Sequence, residues 1–273
     1  MKSWVWGPGT SRVLEIRIGE FEMIEVVKRD EGIWVQKRDL EILRFCLEMK
    51  FADVESLNQK FFDAKSQDMF AARKRIQKLE AVGFLRSVNL LSGTAKKFYL
   101  TTPKGHRELT KLSSPRDQVS LGLSLPNPVS KLSVVTFEHD LGVLKSRLEL
   151  EKQGRASKWR SEKLLKSQAE AATGRLQRDF MPDAIFTSKH GKVCAFEYEN
   201  KPKSENQLRE KVFRLNALMT EKDPVFEACL FIASTENLKN KIKKMTDLIP
   251  NKFVVQSRDE LFGKGKGDLD VTK

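Results

Sequence analysis

The stretch KVCAFEYENK, from Lys192 to Lys201, constrains the fold more than any other part of this chain. Side chains alternate across a strand, so Val193 and Ala195 fall on one face and Cys194 and Phe196 on the other. Apolar residues at both parities need cover on both sides, which predicts a central strand in a layered α/β unit. The pattern then breaks on one face only. Glu197, Glu199 and Lys201 share a parity, while Tyr198 continues the apolar side. Acidic groups are therefore expected where a central strand leaves the core, and sites in open α/β sheets form near such strand ends.

The flanking sequence supplies the rest of such a unit. SVVTFEHDLGVLKSRLELE, from Ser133, reads as a helix with Phe137, Leu141, Leu144 and Leu148 on one stripe. Val135, His139, Val143 and Leu150 form a second apolar face, on which His139 reads as a packed histidine. ASKWRSEKLL, from Ala156, and RDFMPDAIFTS, from Arg178, read as strands before the central one. SKHGK, with His190 and Gly191, reads as the hairpin turn between the last two. Ser204 and Gln207 form a capping-box pattern for a helix whose core stripe is Leu208, Val212, Leu215 and Met219. VFEACLFIAS, from Val225, and NKFVVQS, from Asn251, read as further strands.

Like charges side by side on one strand face cost a few tenths to about 1 kcal/mol unless a cation intervenes. A divalent metal resolves that repulsion, held by Asp183 with Glu197 or Glu199. Bound Mg²⁺ lowers the pKa of a water and stabilises charge developing on a phosphate. Lys201 stands near enough in sequence to orient that water or neutralise the transition state.

The first half has a different pattern. A helix over Lys37–Lys50 carries Leu40, Leu43 and Leu47 at helical spacing, and Asp53 reads as the N-cap of a second helix. Ser66 reads as the cap of a third, QDMFAARKRIQKLEAVG, which Gly83 ends. Met69, Ala72, Ile76 and Leu79 face the core; Gln67, Phe70, Ala71, Lys74 and Lys78 face away, flanked by Arg73 and Arg75. LRSVNLL and KFYLTT follow as a hairpin with Lys96 and Lys97 near its tip, and Pro103 suits the first turn of a fourth helix. Three short helices and a hairpin are the order of a winged helix-turn-helix, whose third helix enters the DNA major groove while the hairpin meets the backbone. The DNA-contacting candidates are Gln67, Phe70, Ala71, Arg73, Lys74, Lys78, Lys96 and Lys97.

Charge agrees with such a partner. The 273 residues carry 50 Lys and Arg against 37 Asp and Glu, a net +13, which favours a polyanion. At 40% hydrophobic residues a packed core is affordable. No apolar run reaches about 18 residues, so no membrane span is expected. MKSWVWGPGTSR lacks the apolar stretch of a signal peptide, and Cys46, Cys194 and Cys229 read as buried free thiols, so the expected compartment is the cytoplasm.

The organisation expected is a strand-rich extension over 1–35, including RVLEIRIGEFEMIEVV, then a winged helix-turn-helix over 36–112. A Ser- and Pro-rich linker spans 113–133, the α/β domain 134–262 and a flexible tail 263–273.

Helix, three strands, helix and strand resemble the PD-(D/E)xK restriction-endonuclease-like fold, a mixed central sheet in a two-domain α/β chain. PDA at Pro182–Ala184 and EYENK at Glu197–Lys201 stand where that motif stands, giving Asp183, Glu199 and Lys201. Glu162, ending WRSE, matches the additional acidic residue that the fold often carries. More closely, the N-terminal winged helix with EHDLGV, WRSE, MPDAIF, FEYEN and LREKVFRLNALM, in that order, resembles the replication-relaxation family of plasmids and integrated mobile elements. The resemblance implies DNA binding, catalytic residues Asp183, Glu199, Lys201, Glu197 and Glu162, and a Mg²⁺ ion on Asp183, Glu199 and Glu197. It also implies partners among mobile-element replication or transfer proteins, with a homodimer as a further assembly. Two registers stay open, since Glu197 could be the first carboxylate and Lys203 could replace Lys201. Two functions stay open as well: a Mg²⁺-dependent endonuclease, and a non-catalytic DNA-binding regulator whose nuclease-like domain serves dimerisation or partner binding.

Overall fold

The computed structural model describes residues 13–18, 21–27, 34–62, 69–89, 96–112, 125–171, 181–222, 224–249 and 252–263. The described elements divide into two compact units, one ending with the helix at Leu112 and one beginning with the helix at Val134. Together they make a mixed α/β protein, and no described helix is long and apolar enough to cross a membrane.

In the first unit, strands β1 (Val13–Ile18), β2 (Phe21–Val27) and β3 (Trp34–Val35) form an antiparallel sheet in sequence order. Helix α1 (Lys37–Glu48), strand β4 (Ala52–Asp53), helices α2 (Val54–Phe61) and α3 (Phe70–Ala81), strands β5 (Leu85–Val88) and β6 (Phe98–Thr101), and helix α4 (Pro103–Leu112) follow. The short strand β4 joins β5 and β6 in an antiparallel sheet of order β4-β6-β5. Asp53 caps α2, its side chain accepting from the Ser56 N–H at 2.8 Å. Gly83, at φ +74°, ends α3, and the Phe84 N–H returns to the Leu79 carbonyl at 2.9 Å. Ser66 and Gln67 lie outside the described residues.

In the second unit, helix α5 (Val134–Lys152) leads into strand β7 (Ala156–Ser161), helix α6 (Glu162–Ala171), strands β8 (Ala184–Ser188) and β9 (Val193–Glu199), helix α7 (Glu205–Thr220), strand β10 (Ala228–Ala233), helix α8 (Glu236–Thr246), strand β11 (Phe253–Ser257) and helix α9 (Arg258–Leu261). The sheet order is β11-β10-β9-β8-β7, with β9 central. Strands β7, β8 and β9 run antiparallel in turn, and β9, β10 and β11 run parallel. The hairpin turn between β8 and β9 lies where SKHGK places it, with Gly191 at φ +80°.

Both faces of this sheet are covered. On one, Ile185, Ala195 and Phe231 pack with Leu208, Val212 and Leu215 of α7 and with Leu238 and Ile242 of α8. On the other, Trp159 stacks on Phe186 and tilts against Phe196 within the sheet, at centroid distances of 5.7 and 5.0 Å, and α5 packs there with Gly142 against Tyr198. Burying a side chain as completely as Phe231 stabilises the fold by about 1.5–3 kcal/mol.

Three expectations are corrected. ASKWRSEKLL is a strand only to Ser161; from Glu162 the chain is helical, with the Leu164 N–H held by Ser161 Oγ at 3.3 Å. Val135 does not join a second buried stripe of α5, since it is 74% exposed. The acidic end of β9 does not leave the core either, because Glu197 and Glu199 are 1% and 3% exposed. The expected linker over 113–133 falls largely on residues outside those described, as does the expected tail from 264.

Candidate functional site

The site is built by strand parity. Glu197 and Glu199 share the face of Ala195, which is the face that α7 covers. Ala184 pairs with Phe196, so Asp183, one residue before β8, comes level with Glu197. The Tyr198 N–H donates to Asp183 Oδ2 at 2.7 Å and fixes that carboxylate against the neighbouring strand.

Helix α7 brings a cation to this face. Its capping box is complete, Ser204 accepting from the Gln207 N–H and Gln207 from the Ser204 N–H. Leu208, Val212, Leu215 and Met219 are buried, and Lys211 lies among them, three residues after Leu208. Lys211 Nζ stands 2.7 Å from Glu199 Oε1 and 2.5 Å from Glu197 Oε2. The contact with Glu197 is an ion pair. Lys203 Nζ also donates to Glu199 Oε1, at 2.7 Å.

Helix α5 supplies the other flank. His139 Nε2 is 3.1 Å from Asp183 Oδ2, and Nδ1 is 3.7 Å from Asp140 Oδ1. Gly142, one turn on, lies flat on the Tyr198 ring, which also meets the His139 ring edge-on at 5.9 Å. His139, Asp140, Ser161, Glu162, Lys163 and Asp183 share the wall of a small cavity of about 20 Å³, room for about one water.

Protonation follows from these contacts. Burial pushes Glu197 up to about 8, against the pull of Lys211, with Asp183 and Glu199 adding to the rise. Asp183 is held down to about 2: burial opposes this, but the His139 hydrogen bond and the Lys211 charge outweigh it. Burial also lowers His139, yet Asp140 and Asp183 together raise it to about 10, so it is an imidazolium at neutral pH. Burial dominates at Lys163 and lowers its amine to about 8.

The predicted site residues therefore divide. Asp183, Glu197 and Glu199 converge on one face. Glu162 is near Asp183, whose carbonyl accepts from the Glu162 N–H at 2.7 Å, and its carboxylate takes Lys166 Nζ at 2.6 Å. Lys201 is not part of the cluster: it lies beyond β9, is exposed, and its Nζ donates to the Val135 carbonyl at 3.3 Å. Sequence reasoning missed Lys211, although a lysine inside a Leu-Val-Leu core stripe was the signal for it.

A divalent metal is the group that the resemblance implies here. Mg²⁺ demands near-octahedral oxygen ligands at about 2.0–2.1 Å. Asp183 Oδ2 already takes His139 and the Tyr198 N–H, Glu199 Oε1 takes two ammonium groups, and Lys211 stands against Glu197. Among the described residues, no three His, Cys, Asp or Glu side chains are grouped so as to hold a metal. The residues in this arrangement fit an ammonium ion, not Mg²⁺.

The first unit presents the second candidate surface. On α3, Ala72, Ile76 and Leu79 are buried, while Phe70, Ala71, Arg73, Lys74, Gln77 and Lys78 are exposed. Arg75 turns inward to the buried Asp39, with Nε 2.6 Å from Oδ1, and is not on the exposed face. A groove of about 530 Å³ beside α3 has Arg73, Gln77, Lys96, Lys97 and Tyr99 among its walls, with Asp53 and Glu55 as acidic members. Lys96 is tied to Asp53 and Glu55 at 3.0 and 3.3 Å. No family model, no curated protein and no solved structure matches this chain.

Proposed function

We propose that this chain is a DNA-binding protein of the replication-relaxation type, in which the first unit is a winged helix and the second a nuclease-like sheet without hydrolytic activity. The observation that carries the first part is the division of α3 into a buried apolar stripe and an exposed face bearing Phe70, Arg73, Lys74, Gln77 and Lys78. Helix, short strand, two helices and two further strands, with the sheet ordered β4-β6-β5, support a winged helix. Arg73 and Lys74 suit guanine edges or phosphates, and Gln77, on the same exposed face, suits an adenine edge. The net charge of +13 supports a polyanionic partner.

The second part rests on Lys211. An ammonium set against Glu197 and Glu199 from within occupies the space between them with the protein's own side chain. The sheet then serves the protein as a scaffold for a partner or a second copy of the chain, the regulator reading. The test has two arms. Fluorescence anisotropy of duplex DNA over a salt series should show steep salt dependence, with a shallower slope for Lys74→Ala with Lys78→Ala; equal slopes would remove the α3 assignment. Supercoiled plasmid incubated with the protein and Mg²⁺ should stay intact; cleavage abolished by Asp183→Asn would restore the endonuclease reading.

A further inference from the structure

We propose that Lys211 is the resident cation of this sheet end, standing where a divalent ion would bind if the lysine were gone, so that the cluster is closed to metals and locks α7 onto β9. This goes beyond DNA binding by the first unit and stands or falls separately from it.

Placement is the first argument. Lys211 is one residue before Val212 and four before Leu215, both buried on the sheet, so its stem is held on the covered face of α7 and only its tip is free to choose a partner. The tip meets Glu197 and Glu199 together, from the layer above them. Lys203 reaches only Glu199, and Lys201 reaches neither.

The need for a cation is the second argument. Glu197 is 1% exposed, and neither of its carboxylate oxygens has a hydrogen-bond donor among the described residues. Asp183, one residue before β8, lies level with it, and Glu199 is two residues along the same face. A buried carboxylate between two others is very costly without an opposite charge. Removing the Lys211 ammonium leaves three carboxyl groups turned on one space, oxygen ligands that a divalent cation captures by displacing the Glu197 proton.

Equilibrium dialysis of Mn²⁺ against the full-length protein, with thermal unfolding in millimolar Mn²⁺ and in chelator, tests this. Wild type should retain no Mn²⁺ and melt at the same temperature in both. Lys211→Met should bind Mn²⁺ at least about tenfold more tightly than wild type and melt higher with Mn²⁺ than without. Lys211→Met combined with Glu197→Gln removes the ammonium together with the acid it faces, so it should melt higher than Lys211→Met alone in chelator and respond less to Mn²⁺. Wild-type uptake of Mn²⁺ that Asp183→Asn abolishes would overturn the proposal. So would a folded Lys211→Met that gains no Mn²⁺. If Lys211→Met fails to fold with or without Mn²⁺, the double variant decides: recovered folding upholds the pairing with Glu197, and no recovery refutes it. DNA anisotropy on the same wild-type preparation reports separately on the α3 surface.

Discussion

Gly142 lies against the ring of Tyr198 so closely that a Cβ there would come within 2.0 Å of Cε1 and 2.2 Å of Cζ. Helix α5 is thereby allowed to approach β9, and His139, one turn before Gly142, is set beside Asp183. Gly142→Ala forces the ring or the helix to move, and overpacking of this kind costs about 1–3 kcal/mol. Urea unfolding should show the loss as a lower midpoint. Combining it with Tyr198→Leu should recover part of the loss, since the two side chains share one space. An unchanged midpoint for Gly142→Ala would contradict the close approach.

Asp39 is fully buried and its carboxylate has two partners, the Gln36 N–H at 2.6 Å and the Arg75 guanidinium. Hydrogen bonding to Asp39 outweighs burial and raises the guanidinium pKa further. Arg75→Ala strands that carboxylate, and breaking such a pair costs about 3–5 kcal/mol. Lys74→Ala removes an exposed side chain on the same helix and should shift stability by no more than about 0.5 kcal/mol. Thermal unfolding of the two variants separates the inward arginine from the outward lysine.

These two sites mark where sequence reasoning succeeds and where it stops. Apolar periodicity located β9, its burial on both faces, the α7 stripe and the buried face of α3, because each pattern is a direct consequence of local geometry. The caps at Asp53 and Ser204 and the turn at Gly191 were equally local. Asp183, Glu197 and Glu199 could be placed together from strand parity. What closes the cluster comes from another element, since Lys211 is separated from Glu199 by a loop and a helical turn. Lys201 looked right by spacing alone, but β9 ends at Glu199 and the strand geometry that would have aligned it does not extend that far. Arg75 stood among basic neighbours, and only its contact with Asp39 separates it from them.

Lys96 and Lys97 are adjacent yet should contribute unequally to DNA binding. Lys96 is held by Asp53 and Glu55, and its proton is bound more firmly: burial opposes this, and the two carboxylates outweigh it. Lys97 has no ion pair among the described residues. A phosphate must compete with two carboxylates for Lys96 and with none for Lys97. Lys97→Ala should therefore flatten the salt dependence of binding by up to about 0.9 in log–log slope, the value of one phosphate contact, and Lys96→Ala by less. Glu55→Gln should strengthen binding by loosening Lys96. Anisotropy titrations at several salt concentrations measure all three, and a larger effect from Lys96→Ala would place the phosphate on the other lysine.

The second unit should lose stability as pH rises from about 4.5 to about 8. Glu197 titrates near 4.5 when unfolded and near 8 when folded, raised by burial and by Asp183 and Glu199 against Lys211. A raised folded pKa means that the native state holds the proton more tightly, so the stabilisation is complete below pH 4.5 and lost on passing 8. His139, raised from 6.5 to about 10, adds a fall in the same direction from pH 6.5 upward. Asp183 has the opposite sign: lowered from 3.8 to about 2, its contribution is already complete above pH 3.8 and adds no slope in this window. Glu197→Gln removes the titrating carboxylate while keeping its size. Urea unfolding at intervals from pH 4.5 to 8 should show a decline in the wild type that is shallower in Glu197→Gln, with the residue of the slope confined above pH 6.5, where His139 acts. Identical slopes in the two proteins would show that Glu197 is ionised throughout that window, with Lys211 alone sufficient to hold its charge in the core.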